Sequence, residues 1–236
     1  MDKETRNRIQ RATQAARRLL EQECAAQLEG TFDILPDGII NPEPGAHLGD
    51  ADRITRAKIV AAIEHRRASG MAKAASVAEY VREAAFTILN RFVALKMLEA
   101  RGLILESVSR GEQSSSFSEL GRLAPGLADL PDHGYRLYLE CMFDELGREI
   151  GVLFDRRDPA SLLWPRRQSF TDLLTLLNSP EIGGSGRRTR PLVGSTSTST
   201  ARTNAARCAP NRRPRATVAN SPSATSSSRR ATSSGS

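Results

Sequence analysis

Apolar side chains recur along residues 1–181 at the three-to-four-residue spacing of amphipathic helices. Ile9, Ala12, Ala16, Leu19, Leu20 and Leu28 mark a first helix over about residues 3–28, with Gly30 placed to stop it. Ile34, Leu35, Pro36, Asp37 and Gly38 then predict a buried extended piece followed by a turn. Ile54, Ile59, Val60 and Ile63 give an apolar side to a second helix over about residues 50–68, ended by Gly70. A third helix is expected to open at Ser76, because Ser76 and Glu79 have the spacing at which two side chains satisfy the first exposed amides. Val77, Tyr80, Val81, Ala84, Ile88, Phe92, Leu95 and Leu98 follow before Gly102. So broad an apolar face predicts that this helix, over residues 76–101, lies at the centre of the core.

Residues 106–133 are polar and rich in Ser and Gly, and Gly111-Glu112-Gln113-Ser114-Ser115-Ser116 within them reads as a loop. A fourth helix is expected over about residues 132–150, carrying Tyr135, Leu139, Met142, Phe143 and Leu146. Val152, Leu153 and Phe154 lead into a turn at Asp155–Pro159, and Trp164-Pro165 forces a bend. Ser169 and Asp172 have the spacing of a helix start, opening a short helix through Leu173, Leu174, Leu176 and Leu177. No alternating strand pattern, βαβ unit or internal repeat is present. The expected fold class is therefore all-α, a single helical domain over residues 1–181, long enough for one sizeable core.

Composition changes abruptly near residue 182. From there to residue 236 the chain holds no Asp, Glu or Lys and consists almost wholly of Arg, Ser, Thr, Ala, Pro and Gly. Of the chain's 34 Lys and Arg, ten are arginines in this tail, which leaves 24 basic against 27 acidic residues in the body, a net −3. The overall charge of +7 and the pI of 9.9 would ordinarily point to nucleic acid. Here the basic character belongs to a segment with too little apolar surface to offset chain entropy, so residues 182–236 are expected to be disordered. Cys24, Cys141 and Cys208 form neither a CxxC pair nor a Cys/His cluster, which argues against a disulfide framework or a zinc site. Cys24 and Cys141 read as buried small apolar residues. No apolar run approaches the roughly 18 residues of a membrane span. The basic N-terminal stretch (Arg6, Arg8, Arg11, Arg17, Arg18) is interleaved with Glu4, Glu21 and Glu23 and reads as a solvated helix face. A cytoplasmic location without a membrane partner is expected.

Candidate chemistry is sparse. His47, His65 and His133 stand alone in the sequence, and Glu140 and Asp144, four apart, read with Glu119 as solvated carboxylates. Arg156, Arg157, Arg166 and Arg167 could contact phosphate, but pairing with Asp155 and Asp158 accounts for them. Gly183-Gly184-Ser185-Gly186 resembles a phosphate-binding loop without the preceding strand and following helix that such chemistry requires. Asn41-Pro42-Glu43-Pro44 resembles the Asn-Pro-Pro-aromatic motif of amino-methyltransferases, yet lacks the second adjacent proline and the stacking aromatic, and reads as a proline-rich turn. No catalytic, cofactor-binding or metal-ligating residue is assigned.

Three strings carry a resemblance: Leu89–Gly102 (LNRFVALKMLEARG), Ser109–Ser114 (SRGEQS) and Leu153–Arg167 (LFDRRDPASLLWPRR). Each resembles part of the N-terminal region of the BREX phage-defence methyltransferases (PglX) and of related type IIG restriction-modification methylases, and the similarity covers residues 1–181. The resemblance implies a helical region preceding a Rossmann-like domain that binds S-adenosylmethionine and methylates the exocyclic amine of an adenine flipped out of duplex DNA. The tail fits this through the genetic code. Ala224–Ser234 can be encoded so that a shifted frame reads Asn-Gln-Phe-Phe-Thr-Pro-Arg-Tyr-Val-Val, similar to the family motif that leads into the cofactor domain. Arg190–Thr200 likewise permits Thr-Val-Gly-Trp-Val-Tyr-Gln-Tyr-Phe-Asn.

The expectation is thus a truncated, inactive fragment of an adenine-specific DNA methyltransferase whose tail is out of frame. It has no cofactor of its own, while the full-length family uses S-adenosylmethionine and DNA. Two other classes remain: a nucleic-acid adaptor whose ten tail arginines neutralise phosphates, and a helical protein-interaction module with partners unknown; weak DNA binding by the tail without sequence preference is expected from its charge alone.

Overall fold

A computed structural model of the chain describes residues 3–179, and over these the fold is all-α. Helices α1 (Lys3–Gly30), α2 (Asp50–Ala68) and α3 (Lys73–Ala100) are followed by α4 (Ser115–Leu123), α5 (Tyr135–Leu146), α6 (Gly151–Phe154) and α7 (Arg167–Leu177), with short 3-10 turns between the later ones. Helix α3 is the axis. Helices α1, α2 and α6 and the turn at Pro159–Ser161 pack on it, while α7 lies along α1. Tyr80, Ala84, Ala85, Ile88, Leu89, Phe92 and Leu95 are all buried, a face wide enough to be covered from several sides. Helix α1 contributes Ala16, Leu20, Cys24 and Leu28, one residue in four and so one stripe. Helix α2 contributes Ile59 and Ile63.

Between α1 and α2 the extended piece is present, with Ile34 fully buried and bridged to Ile40 across the turn. Gly38 takes φ +84° there, and a Cβ on it would lie 2.6 Å from the carbonyl carbon of Lys73, so both conformation and space demand glycine.

Several boundaries differ from the sequence expectation. Helix α3 begins at Lys73, with Ala72 as its N-cap. Lys73, Ala74 and Ala75 are strong helix formers and extend the helix past the capping pair. Ser76 is consequently interior and buried, its hydroxyl donating to the Lys73 carbonyl at 2.7 Å, and Glu79 bonds Arg82 instead. Helix α7 likewise starts at Arg167, because Ser169 is recruited by Glu23 of α1 at 2.8 Å rather than by its own backbone. The stretch 106–133 holds a helix, α4, and three 3-10 turns; Phe117, Leu120 and Leu127 pack on the core, an apolar pattern masked by the surrounding serines. The fourth helix is shorter than expected. Asp132, His133 and Gly134 all have positive φ, which fixes its start at Tyr135, and Ile150 is 43% exposed between α5 and α6. Ile54 faces solvent at 60% exposure, and Val81 and Cys141 are only half-buried. The glycine-rich stretch 183–186 and the expected disorder over 182–236 lie outside the described residues.

Candidate binding site

The segment between α6 and α7 crosses α3 and is fastened to it by one buried arginine. Arg91, 5% exposed, donates to the carbonyls of Leu153 (2.8 Å) and Asp155 (2.7 Å) and to the Ser161 hydroxyl (2.5 Å). Burial holds its pKa below the usual arginine value, partly offset by Asp158 and Asp155. Tyr80 donates to the Pro159 carbonyl at 2.9 Å, and burial raises its phenol well above the ordinary range. From the far side Gln27 donates to the Trp164 carbonyl at 2.8 Å, while Glu23 accepts from the Arg166 N–H at 3.0 Å. The backbone over Trp164–Arg166 is thereby fastened to α1. Burial pushes the Glu23 pKa up, but hydrogen bonds from Gln27, the Arg166 N–H and Ser169 outweigh it and the carboxyl ends below its ordinary value.

A second junction forms at the end of α3. The Glu99 carboxylate accepts from the backbone N–H and hydroxyl groups of Ser107 and Ser109 and from the Val108 N–H, gathering residues 107–109 around it. Lys96 donates to the Ser109 hydroxyl at 2.8 Å and to the Asn178 side-chain oxygen, and Asn178 donates to the Val108 carbonyl at 3.1 Å. Desolvation lowers the Lys96 pKa, with Glu99 and Glu106 opposing. The end of α7 is thus tied to α3.

These junctions frame two adjoining clefts. The larger, about 700 Å³, lies between residues 109–113 and α7, with Tyr135, Trp164 and Phe170 on its floor and Arg110 and Arg167 at its rim. The smaller, about 380 Å³, lies between α3, α5 and the crossing segment and is bordered by Arg156 and Arg157. Arg136 and Trp164 line both. The Arg136 guanidinium sits 5.2 Å above the Trp164 ring, so this stacked pair is the ridge between the clefts.

The residues weighed in the sequence are not brought together. His47 is exposed, with Nε2 3.0 Å from the Thr31 carbonyl; His65 lies near the end of α2; His133 sits in a 3-10 turn. Glu119 is exposed on α4, and Asn41–Pro44, exposed but for Pro44, lines neither cleft. Glu140 and Asp144 are not merely solvated, since Arg156 bonds each at 2.7 Å. The arginine partners expected in Asp155 and Asp158 are thus corrected. Arg156 takes Glu140 and Asp144, Arg166 takes Glu23, and Arg167 lies 3.6 Å from Glu112 and 3.8 Å from Asp132. Local sequence favoured neighbours in the turn, whereas packing brings carboxylates of α5, α1 and the 111–134 stretch within reach of these side chains. Trp164 was read only as part of a bend and Arg136 was not singled out; their spacing carries no site signal. Among the described residues no His/Cys/Asp/Glu group could hold a metal ion, and no helix is long and apolar enough to cross a membrane. Comparison with known protein families, with curated proteins and with solved structures finds no match.

Proposed function

We propose that residues 3–179 are the helical region that, in BREX-type (PglX) and type IIG adenine-specific DNA methyltransferases, precedes the S-adenosylmethionine-binding domain, and that this chain departs from the family's reading frame near residue 182. One observation supports this reading above the others. The three strings that carry the resemblance are far apart in sequence yet form one physical unit. Arg91 of the first bonds the backbone of the third; Phe92 packs its ring 5.9 Å from that of Trp164; and Lys96 and Glu99 of the first bond Ser109 of the second. Residues that must fit one another in space are the ones expected to keep a recognisable pattern.

On this reading residues 1–181 position and support, and the methyl transfer belongs to the family's S-adenosylmethionine-binding domain. Neither the family's cofactor glycines nor its Asn-Pro-Pro-aromatic motif has a counterpart in this sequence. The decisive experiment is to sequence the DNA beyond the Glu181 codon. A second frame that continues into a cofactor-binding domain with that catalytic motif is the expected result. Three frames without one would overturn the proposal.

A further inference from the structure

We infer that the two clefts flanking Arg136 and Trp164 form one groove that binds a nucleotide unit, a flat ring bearing a phosphate, either free or within a single strand. The inference stands apart from the proposed family origin, since it rests on the groove alone. Size comes first: about 700 and 380 Å³ fall within the roughly 300–1,000 Å³ of small-ligand sites. The ridge supplies a flat, polarisable surface. Trp164 is half-buried and braced by Phe92 at 5.9 Å and Phe170 at 5.6 Å, so its plane is fixed before any ligand arrives. Bases stack both on aromatic rings and on guanidinium planes, and here the two are already layered.

Charge then selects for phosphate. The groove is lined by six arginines and four carboxylates, a local surplus of two positive charges in a body that carries a net −3. The rim arginines are available. Arg110 and Arg167 are 64% and 62% exposed, and their carboxylate contacts are long, 3.6–3.8 Å, a distance at which exposed pairs are weak. Arg157 makes no side-chain ion pair among the described residues. A phosphate meeting a guanidinium edge-on gains paired, charge-assisted hydrogen bonds that these contacts lack. The aromatic ridge favours a base over an acidic peptide, which needs the arginines but not the ring.

Trp164 is the chain's only tryptophan, so its emission reports on the groove directly. The full chain is titrated with adenosine monophosphate, a single-stranded octanucleotide, the matching duplex, S-adenosylmethionine and a poly-glutamate peptide. The basic tail will hold any polyanion, but it has no aromatic residue and cannot itself produce the signal. Saturable quenching by the mononucleotide as strong as by the octamer assigns a free nucleotide; much tighter quenching by the octamer assigns a strand. The Arg110→Ala/Arg167→Ala double variant should weaken that quenching by about fivefold or more while melting at the unchanged temperature, since both side chains are exposed. Arg157→Ala provides the same check from the other cleft. Absent quenching by both nucleotide and strand overturns the inference. So does a duplex that matches the strand, S-adenosylmethionine or peptide quenching as strongly as nucleotide, or affinity unaltered in both variants.

Discussion

Phe92 touches three rings at once, with centroids 6.0 Å to Phe143, 5.9 Å to Trp164 and 5.3 Å to Phe170, and is 1% exposed. Truncation to alanine would leave a cavity where three elements meet, and should cost roughly 3–5 kcal/mol by chemical denaturation. A loss under about 1 kcal/mol would mean that the aromatic cluster collapses freely and is no keystone. Helical periodicity exposed Phe92 in the sequence. It could not expose Arg91, its neighbour, because a charged residue on a helix reads as solvent-facing until its carbonyl partners arrive from 62 and 64 residues further along. Cys24 gives a second test at this scale. Burial, aided by Glu23 and Glu21, pushes its thiol up to about 12, so at neutral pH it carries almost no thiolate. Peptide mapping of the native chain after brief alkylation should find Cys24 unmodified and Cys141, half-buried, modified ahead of it. Prompt labelling of Cys24 would show that α1 opens readily.

At the scale of elements, the joint between α1 and α7 depends on Glu23 and Gln27, two polar residues on an otherwise apolar stripe. Sequence reading placed Glu23 on a solvated face, since nothing local tells a buried carboxylate from an exposed one. The folded-state pKa of Glu23 is depressed, so its stabilisation is complete above the unfolded value of about 4.3 and is lost as pH falls through the folded value. Glu23→Gln should therefore be less stable than the parent chain by about 1–3 kcal/mol at neutral pH. The gap should narrow steadily below about pH 4. Urea denaturation of both chains across that range measures it, and a gap independent of pH would show that the joint does not need the charge. The same scale explains the missed helix α4 and the two helix starts read too late. Serine spacing predicts a cap only when the serine is free, and Ser76 and Ser169 are spent on Lys73 and Glu23 instead.

For the whole molecule, the all-α class and the central role of α3 were legible because a wide 3.6-residue apolar pattern survives whatever the helix packs against. The groove was not legible. Its walls come from residues 88–92, 109–113, 132–144 and 156–179, and only the crossing of the 153–167 segment over α3 brings them side by side. Electrostatics at this scale divides the chain in two, a body at −3 and ten arginines after Glu181. Those arginines can displace counterions from any polyanion, so the chain should bind duplex DNA weakly, without regard to sequence. The log of the affinity should fall linearly with the log of salt, by about 0.9 for each phosphate neutralised. Base stacking cannot contribute from this segment, because no aromatic residue occurs after Phe170. Removing residues 182–236 should then abolish most duplex binding while leaving the melting temperature of the body nearly unchanged. Intact and shortened chains compared on several duplexes at two salt concentrations make the measurement. Sequence-selective binding that persists at high salt would point to a dedicated nucleic-acid adaptor, and a large fall in melting temperature would show that the basic segment was shaped to pack on the body, against the out-of-frame origin proposed for it.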